Sequence, residues 1–194
     1  MTPVAGPQAD PDRKGNEELR DLIKQRSFRR GKFTLSSGRQ SDLYFNLKST
    51  MMTPRGALLC ARAFLSRIEA LGADFVGGLE MGAVPILGSV AALSEMEGKP
   101  VRTFFVRKTT KAHGTRELVE GLAPAESLAG ARILVVDDVA STGGSVLEAV
   151  KAVRAAGGVV DTALVIIDRQ MGAAESLRGA GIGLLSIFLE NDFR

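Results

Sequence analysis

Apolar residues along this chain change period several times, and each change marks an element. From Asn16 to about Arg29, Leu19, Leu22 and Ile23 fall on one stripe, which predicts a first helix. FTLSSGRQSDLYFNLK then reads as two short strands around a turn at Ser37–Asp42. Thr53-Pro54 supplies an N-cap and a first-turn proline for a helix running to about Leu71, where Gly72 stops it. Beyond that point strands and helices alternate. DFVGGL reads as a strand, and AVPILGSVAALSEM, entered through Glu80-Met81-Gly82, as a helix. VRTFFV and ARILVV are strands, and GSVLEAVKAVRAAG is a helix closed by Gly157-Gly158. VVDTALVIID, AAESLRGA and GIGLLSIFL complete the chain as strand, short helix and strand.

Continuous apolar strands separated by helices predict an α/β fold, a mainly parallel central sheet flanked by helices on both faces. Ligands of such sheets gather at the carboxyl ends of the strands. Residues 1–15 are polar and Pro-rich and read as a disordered tail, which leaves 16–194 as one domain. Residues 108–121 form one long polar insert, and no internal repeat is visible.

Composition narrows the function classes. A chain of 194 residues with 45% apolar and 24% charged residues suits one soluble globular domain. The net charge of +3, the absence of Trp and the single Tyr give no support to nucleic-acid binding. Cys60 is the only cysteine, so no intrachain disulfide can form, and its apolar setting reads as helix packing. The N-terminus lacks the apolar core of a signal peptide, and no stretch is long and apolar enough to span a membrane. Together these features predict a cytoplasmic protein.

The chemistry is concentrated in ILVVDDVASTGGS, where a strand expected to end at Val136 meets a helix expected near Thr142 or Gly143. Backbone N–H groups from Ala140 to Ser145, at a helix N-terminus, can cradle a phosphate. Gly143 and Gly144 permit close approach, and Ser141, Thr142 and Ser145 add hydroxyl donors. Asp137 and Asp138 would repel a bare phosphate, but ionised carboxylates accept strongly from sugar hydroxyls. A ligand carrying both phosphate and hydroxyls satisfies the whole stretch. A plain turn with an acidic N-cap is the local alternative. Neither a P-loop nor a GxGxxG fingerprint fits the spacing.

VVDDVASTGGS resembles the signature of the type I phosphoribosyltransferases, which bind 5-phosphoribosyl 1-diphosphate (PRPP). The resemblance implies that Asp137 and Asp138 hold the ribose hydroxyls and that Val139, Ala140, Ser141, Thr142, Gly143, Gly144 and Ser145 hold the 5′-phosphate. Further segments resemble the orotate-specific branch of that family and extend the likeness over roughly residues 16–193. FTLSSGRQSDLYFNLKSTMMTPRGA resembles its hood, VRKTTKAHGTRELVEG its catalytic loop, and VIIDRQMGAAESLRGAGIGLLSIFLENDF its last strand–helix–strand unit. The implied fold adds a small hood from both chain ends (about 30–50 in the N-terminal half) and a flexible loop over about 107–121.

The same resemblance implies the roles. Arg169 pairs with the orotate carboxylate in a two-pronged hydrogen bond, with Ser141, Tyr44 and Phe45 beside the base. Arg107, Lys108, Lys111 and His113 surround the diphosphate of PRPP. Lys111, His113 and Asp138 are the expected catalytic residues, with the loop acting in a partner subunit of a homodimer. Mg²⁺ is the expected cofactor, carried mainly by PRPP rather than held by protein ligands. Read without the family, Asp168-Arg169 suits a surface ion pair, residues 107–113 a solvated charge run, and His113 and Phe45 structural positions. A transferase for another base, or a PRPP-sensing regulator without catalysis, remains an alternative. Two positions depart from the family pattern: Ser36 and Gly82 stand where some members carry Lys, and Lys48 could supply charge from the hood instead.

Overall fold

The computed structural model describes residues 8–9, 16–34, 40–109 and 118–194. Its elements follow in the order β1 (Gln8–Ala9), α1 (Glu17–Arg26), β2 (Phe28–Thr34), β3 (Gln40–Phe45), α2 (Lys48–Met51), α3 (Pro54–Leu71), β4 (Phe75–Leu79) and α4 (Val84–Met96). Then come β5 (Thr103–Val106), β6 (Val119–Glu120), β7 (Arg132–Ala140), α5 (Gly144–Ala155), β8 (Val159–Asp168), α6 (Ala173–Gly179), β9 (Gly183–Leu189) and a 3-10 turn over Glu190–Phe193. The described strands form a sheet in the order β1-β9-β8-β7-β4-β5-β6, while β2 and β3 pair as a separate antiparallel hairpin. Every pairing in the larger sheet is parallel except that of β5 with β6.

The apolar strands are continuous because both faces are covered. Leu134 and Val136 of β7 pack into one buried cluster with Phe64 and Ile68 of α3 and Ile86 and Val90 of α4. Ile133 and Val135 point the other way, into a second cluster with Val146 and Val150 of α5 and Leu177 of α6. Burying one such side chain stabilises by about 1.5–3 kcal/mol, so the two faces together hold the sheet between its helices. In α3 the expected cap is present: the Thr53 side chain accepts from the Gly56 N–H at 3.1 Å, and Gly72 closes the helix. Burial pushes the Cys60 thiol up to about 12, which leaves it as an inert packing group. No helix among the described residues is long and apolar enough to cross a membrane.

Several boundaries differ from the sequence reading. The first helix stops at Arg26, three residues short of its expected end at Arg29, because Phe28 starts the hairpin. The Phe28 ring packs against Phe45 and Phe193 at centroid distances of 5.3 and 6.0 Å. The expected turn at Ser37–Asp42 ends sooner, since Gln40–Phe45 is already strand, and residues 35–39, with Ser36, lie outside the described residues. Gln8–Ala9 pairs with β9, so the tail read as disordered contains a strand. The largest change concerns β7, which does not end at Val136. Its ladder with β8 continues through Val139↔Ile167 and Ala140↔Asp168, so both acids belong to the strand.

Candidate active site

Because β7 runs on to Ala140, the connection to α5 is only residues 141–143. Asp137 and Asp138 therefore stand on the carboxyl edge of the sheet, directly before a helix N-terminus. Gly143 takes the left-handed conformation (φ 84°) that lets the chain turn into α5 within this short distance. No side chain caps α5, although Ser141 and Thr142 stand just before it. The amides of its first turn lack helical partners and form an anion-binding end.

The acids are fixed by their own backbone. The Asp138 N–H donates to Asp137 Oδ1 at 2.9 Å, and the Val139 N–H donates to Asp138 Oδ1 at 2.8 Å. Asp138 Oδ2 accepts from Lys48 Nζ at 3.3 Å, which ties the segment after the hairpin to the sheet edge. Asp137 is only 5% exposed, and burial, reinforced by the neighbouring Asp138 charge, pushes its carboxyl up to about 8. Beside the pair lies a cavity of about 340 Å³, lined by Lys48, Gly82, Lys108, Asp137, Asp138 and Ser145 among others.

Gly82 explains one departure from the family pattern. A Cβ there would collide with Asp137 Oδ1 and lie 2.8 Å from Asp138 Oδ1, so the Glu80–Ala83 turn carries no side chain at this point. The Glu80–Met81 peptide of that turn is cis. Its Glu80 carboxylate accepts from the Lys108 N–H at 3.0 Å, which seats the start of the expected loop against the turn. Arg107 points elsewhere: its Nη1 lies 3.6 Å from Glu120 Oε1. Lys111 and His113 lie outside the described residues.

A second polar centre lies one strand over. The Arg169 N–H donates to Ala140 O at 2.9 Å, so this arginine follows β8 beside the phosphate-facing loop. It is no surface residue, being 5% exposed. Its Nε donates to Glu190 Oε2 at 2.8 Å, and its Nη2 donates to Ser41 Oγ at 2.8 Å and Leu43 O at 3.1 Å. Among the described residues Nη1 makes no hydrogen bond. The expected two-pronged grip is thus altered: Nη2 belongs to both forks of a guanidinium, and here it is engaged by the hairpin. A cavity of about 760 Å³ opens beside Arg169, Ser41, Glu190 and Arg194.

The two expected aromatic contacts separate. Phe45 lies under the Arg169 guanidinium, 5.6 Å from ring centroid to Cζ, and packs edge-on against Phe193. Tyr44 falls on the opposite face of β3, stacked on Phe33 at 5.2 Å and 40% exposed, so the hairpin does not bring it to Arg169. Glu190 and Ser41, which hold Arg169, were missed by sequence reasoning. Both lie in segments that carry the family resemblance, but no local spacing ties them to their partner, 21 and 128 residues away.

Comparison with known proteins identifies the family and the fold. Residues 51–183 match the phosphoribosyl transferase domain family. The orotate phosphoribosyltransferase of Rhodopseudomonas palustris is 47% identical over 175 residues, covering 90% of this chain and 94% of that protein. The structure superposes on the Mycobacterium tuberculosis orotate phosphoribosyltransferase in complex with PRPP with a TM-score of 0.74, at 33% identity, covering 94% of this chain and 99% of the other. The Aeropyrum pernix orotate phosphoribosyltransferase gives 0.71 at 31% identity, with 90% and 96% covered.

Proposed function

The chain belongs to the orotate phosphoribosyltransferases, within the phosphoribosyl transferase domain family, and from that premise we propose how its residues carry the reaction. It is an enzyme of pyrimidine biosynthesis that transfers the phosphoribosyl group of PRPP to N1 of orotate, giving orotidine 5′-monophosphate and pyrophosphate. The observation that carries the assignment of roles is the acid pair on the last residues of β7, facing a cavity beside the uncapped start of α5.

Asp137 and Asp138 accept the ribose hydroxyls, while the amides and hydroxyls of Ser141 to Ser145 receive the 5′-phosphate. Val139 and Ala140 contribute as the end of the strand that aims this loop. Arg169 meets the orotate carboxylate through Nη1, with Phe45 beneath the guanidinium and Ser141 close to the base; Tyr44 flanks the hood from its outer face. The reaction passes through an oxocarbenium-like state with inversion at C1′, so the protein acts by positioning and by compensating charge on the leaving diphosphate.

Lys111 and His113, with Arg107, place positive charge on that leaving group across the interface of a homodimer, while Lys108 stays in its own subunit. Among the described residues no group of three or more acidic, histidine or cysteine side chains gathers to hold a metal ion. The acid pair on the ribose side of the cavity suits a Mg²⁺ that arrives with PRPP and supplies charge neutralisation at the diphosphate. Residues 16–194 work as one cytoplasmic unit.

Orotate absorbance should fall when PRPP and Mg²⁺ are added together and stay constant when either is omitted. Turnover of hypoxanthine or adenine without turnover of orotate would overturn the assignment of the base. Loop sharing has a separate test. Lys111→Ala and Arg169→Ala are each expected to be inactive as homodimers, but mixing them should restore roughly a quarter of wild-type activity in the statistically formed heterodimer's one intact site. Absence of any recovery in the mixture, with heterodimers verified by mass spectrometry, would show that the loop serves its own subunit.

A further inference from the structure

Both oxygens of Asp138 are engaged in the free protein, each by one donor, which leaves about one lone pair on each. Oδ1 takes the Val139 N–H at 2.8 Å, and Oδ2 takes the Lys48 ammonium at 3.3 Å. A ribose hydroxyl that reaches Asp138 from the cavity, as the proposed function requires, shares Oδ2 with Lys48 and weakens its hold on that ammonium. Lys48 is then free to exchange onto a second anion. Its side chain is half-exposed and lines the same cavity as Gly82 and Lys108. Turning away from Asp138 therefore does not require leaving the site.

The Glu80–Ala83 turn on the opposite wall brings no cation; its one charged side chain is the carboxylate of Glu80. The turn at Gly82 is bare because the acids press against it, and a side chain there would strike Asp137. Lys108 approaches the turn through its N–H, bonded to Glu80. An incoming PRPP carries its diphosphate on the sugar carbon next to the hydroxyl-bearing ones. The displaced ammonium would meet it within the same cavity. We propose that Lys48 is the hood's contact to the diphosphate of PRPP, held by Asp138 in the free protein and exchanged onto the diphosphate as the ribose hydroxyls take its place. This rests on the PRPP reading given above. It assigns to the hood a cationic role that a lysine at position 82 could not fill here.

The exchange separates two ligands that differ only in the diphosphate. Ribose 5-phosphate presents the hydroxyls and the 5′-phosphate, so toward it Lys48 acts only as a competitor for Asp138. Calorimetric titration of the full chain with Mg²⁺ present should show Lys48→Met weakening PRPP binding roughly tenfold or more, in line with loss of a charge-assisted contact. The same variant should bind ribose 5-phosphate as well as the wild type does, or more tightly. Lys48→Arg should restore most of the PRPP affinity.

An equal loss for both ligands would make Lys48 a scaffold of the hood and overturn the proposal, as would unchanged PRPP binding. Failure of the wild type itself to bind either ligand would overturn both this proposal and the underlying function, a pattern distinct from the other two.

Discussion

Replacing Arg169 by methionine is expected to lower the unfolding free energy by about 3 kcal/mol and to abolish orotate turnover, two losses with different causes. The stability loss follows from burial. Arg169 and Glu190 have side-chain exposures of 4% and 9%, and removing the arginine leaves Glu190 with the half-exposed Arg194 as its remaining ion-pair partner among the described residues. For a chain of this size that corresponds to a drop in Tm of roughly 10 °C.

Removing both charges should undo most of that loss. In Arg169→Met/Glu190→Met no buried ion is left unpaired, and apolar replacement of a buried pair is often neutral. Arg194, which donates to Glu190 Oε1 at 2.8 Å, is half-exposed and can turn to water. If Arg169 contacts the orotate carboxylate, the double variant should recover its Tm yet remain without orotate turnover. Recovery of both Tm and turnover would reduce Arg169 to a strut between the hairpin and the 3-10 turn.

This cluster also marks where the sequence stops being informative. Elements were readable where their signal is local. VVDTALVIID is β8 over its full length, and Thr53 and Gly72 bracket α3 as their residue types predict. The acid pair was readable because its residue types sit next to one another at the mouth of a phosphate-binding turn. Its exact setting was not. Hydrophobicity ends at Val136, but the hydrogen-bond ladder with β8 carries the strand four residues further. That pairing depends on a partner with no periodic signal of its own at Asp168.

The same limitation hid the hood's attachment. Phe28 looked like the last turn of a helix, and only the aromatic contacts to Phe45 and Phe193 make it a strand residue. Ser41, Leu43 and Glu190 reach Arg169 from both ends of the chain, and no local spacing announces such a meeting. Lys48 was visible as a charge, and its hydrogen bond to Asp138 spans 90 residues.

Asp137→Asn should produce the reverse combination, a protein more stable than the wild type at alkaline pH and nearly inactive. In the unfolded chain this carboxyl loses its proton near 3.8, whereas burial in the fold holds it until about 8. An acid whose pKa is raised on folding stabilises the fold fully below its unfolded value. That contribution is lost progressively as pH climbs from about 4 to about 8. The total is on the order of a few kcal/mol. Asparagine keeps an oxygen to accept the Asp138 N–H but has no proton to lose.

The Tm gap between Asp137→Asn and wild type should therefore widen from pH 6 to pH 8 and level off above. A gap that stays constant or narrows over that range would show that Asp137 ionises freely in the fold. Catalysis should move the other way. The ribose hydroxyls are best received by Asp137 as a carboxylate, the form it takes as pH rises through about 8, and an amide oxygen accepts them more weakly. A loss of about 10²–10³-fold in kcat/KM for PRPP is expected, comparable to removal of one preorganised electrostatic contact. The burial that holds a proton on Asp137 in the empty protein is thus also what makes its carboxylate a strong acceptor once it is ionised. An Asn variant with wild-type kcat/KM would break that link and leave the buried carboxyl without a purpose in this site.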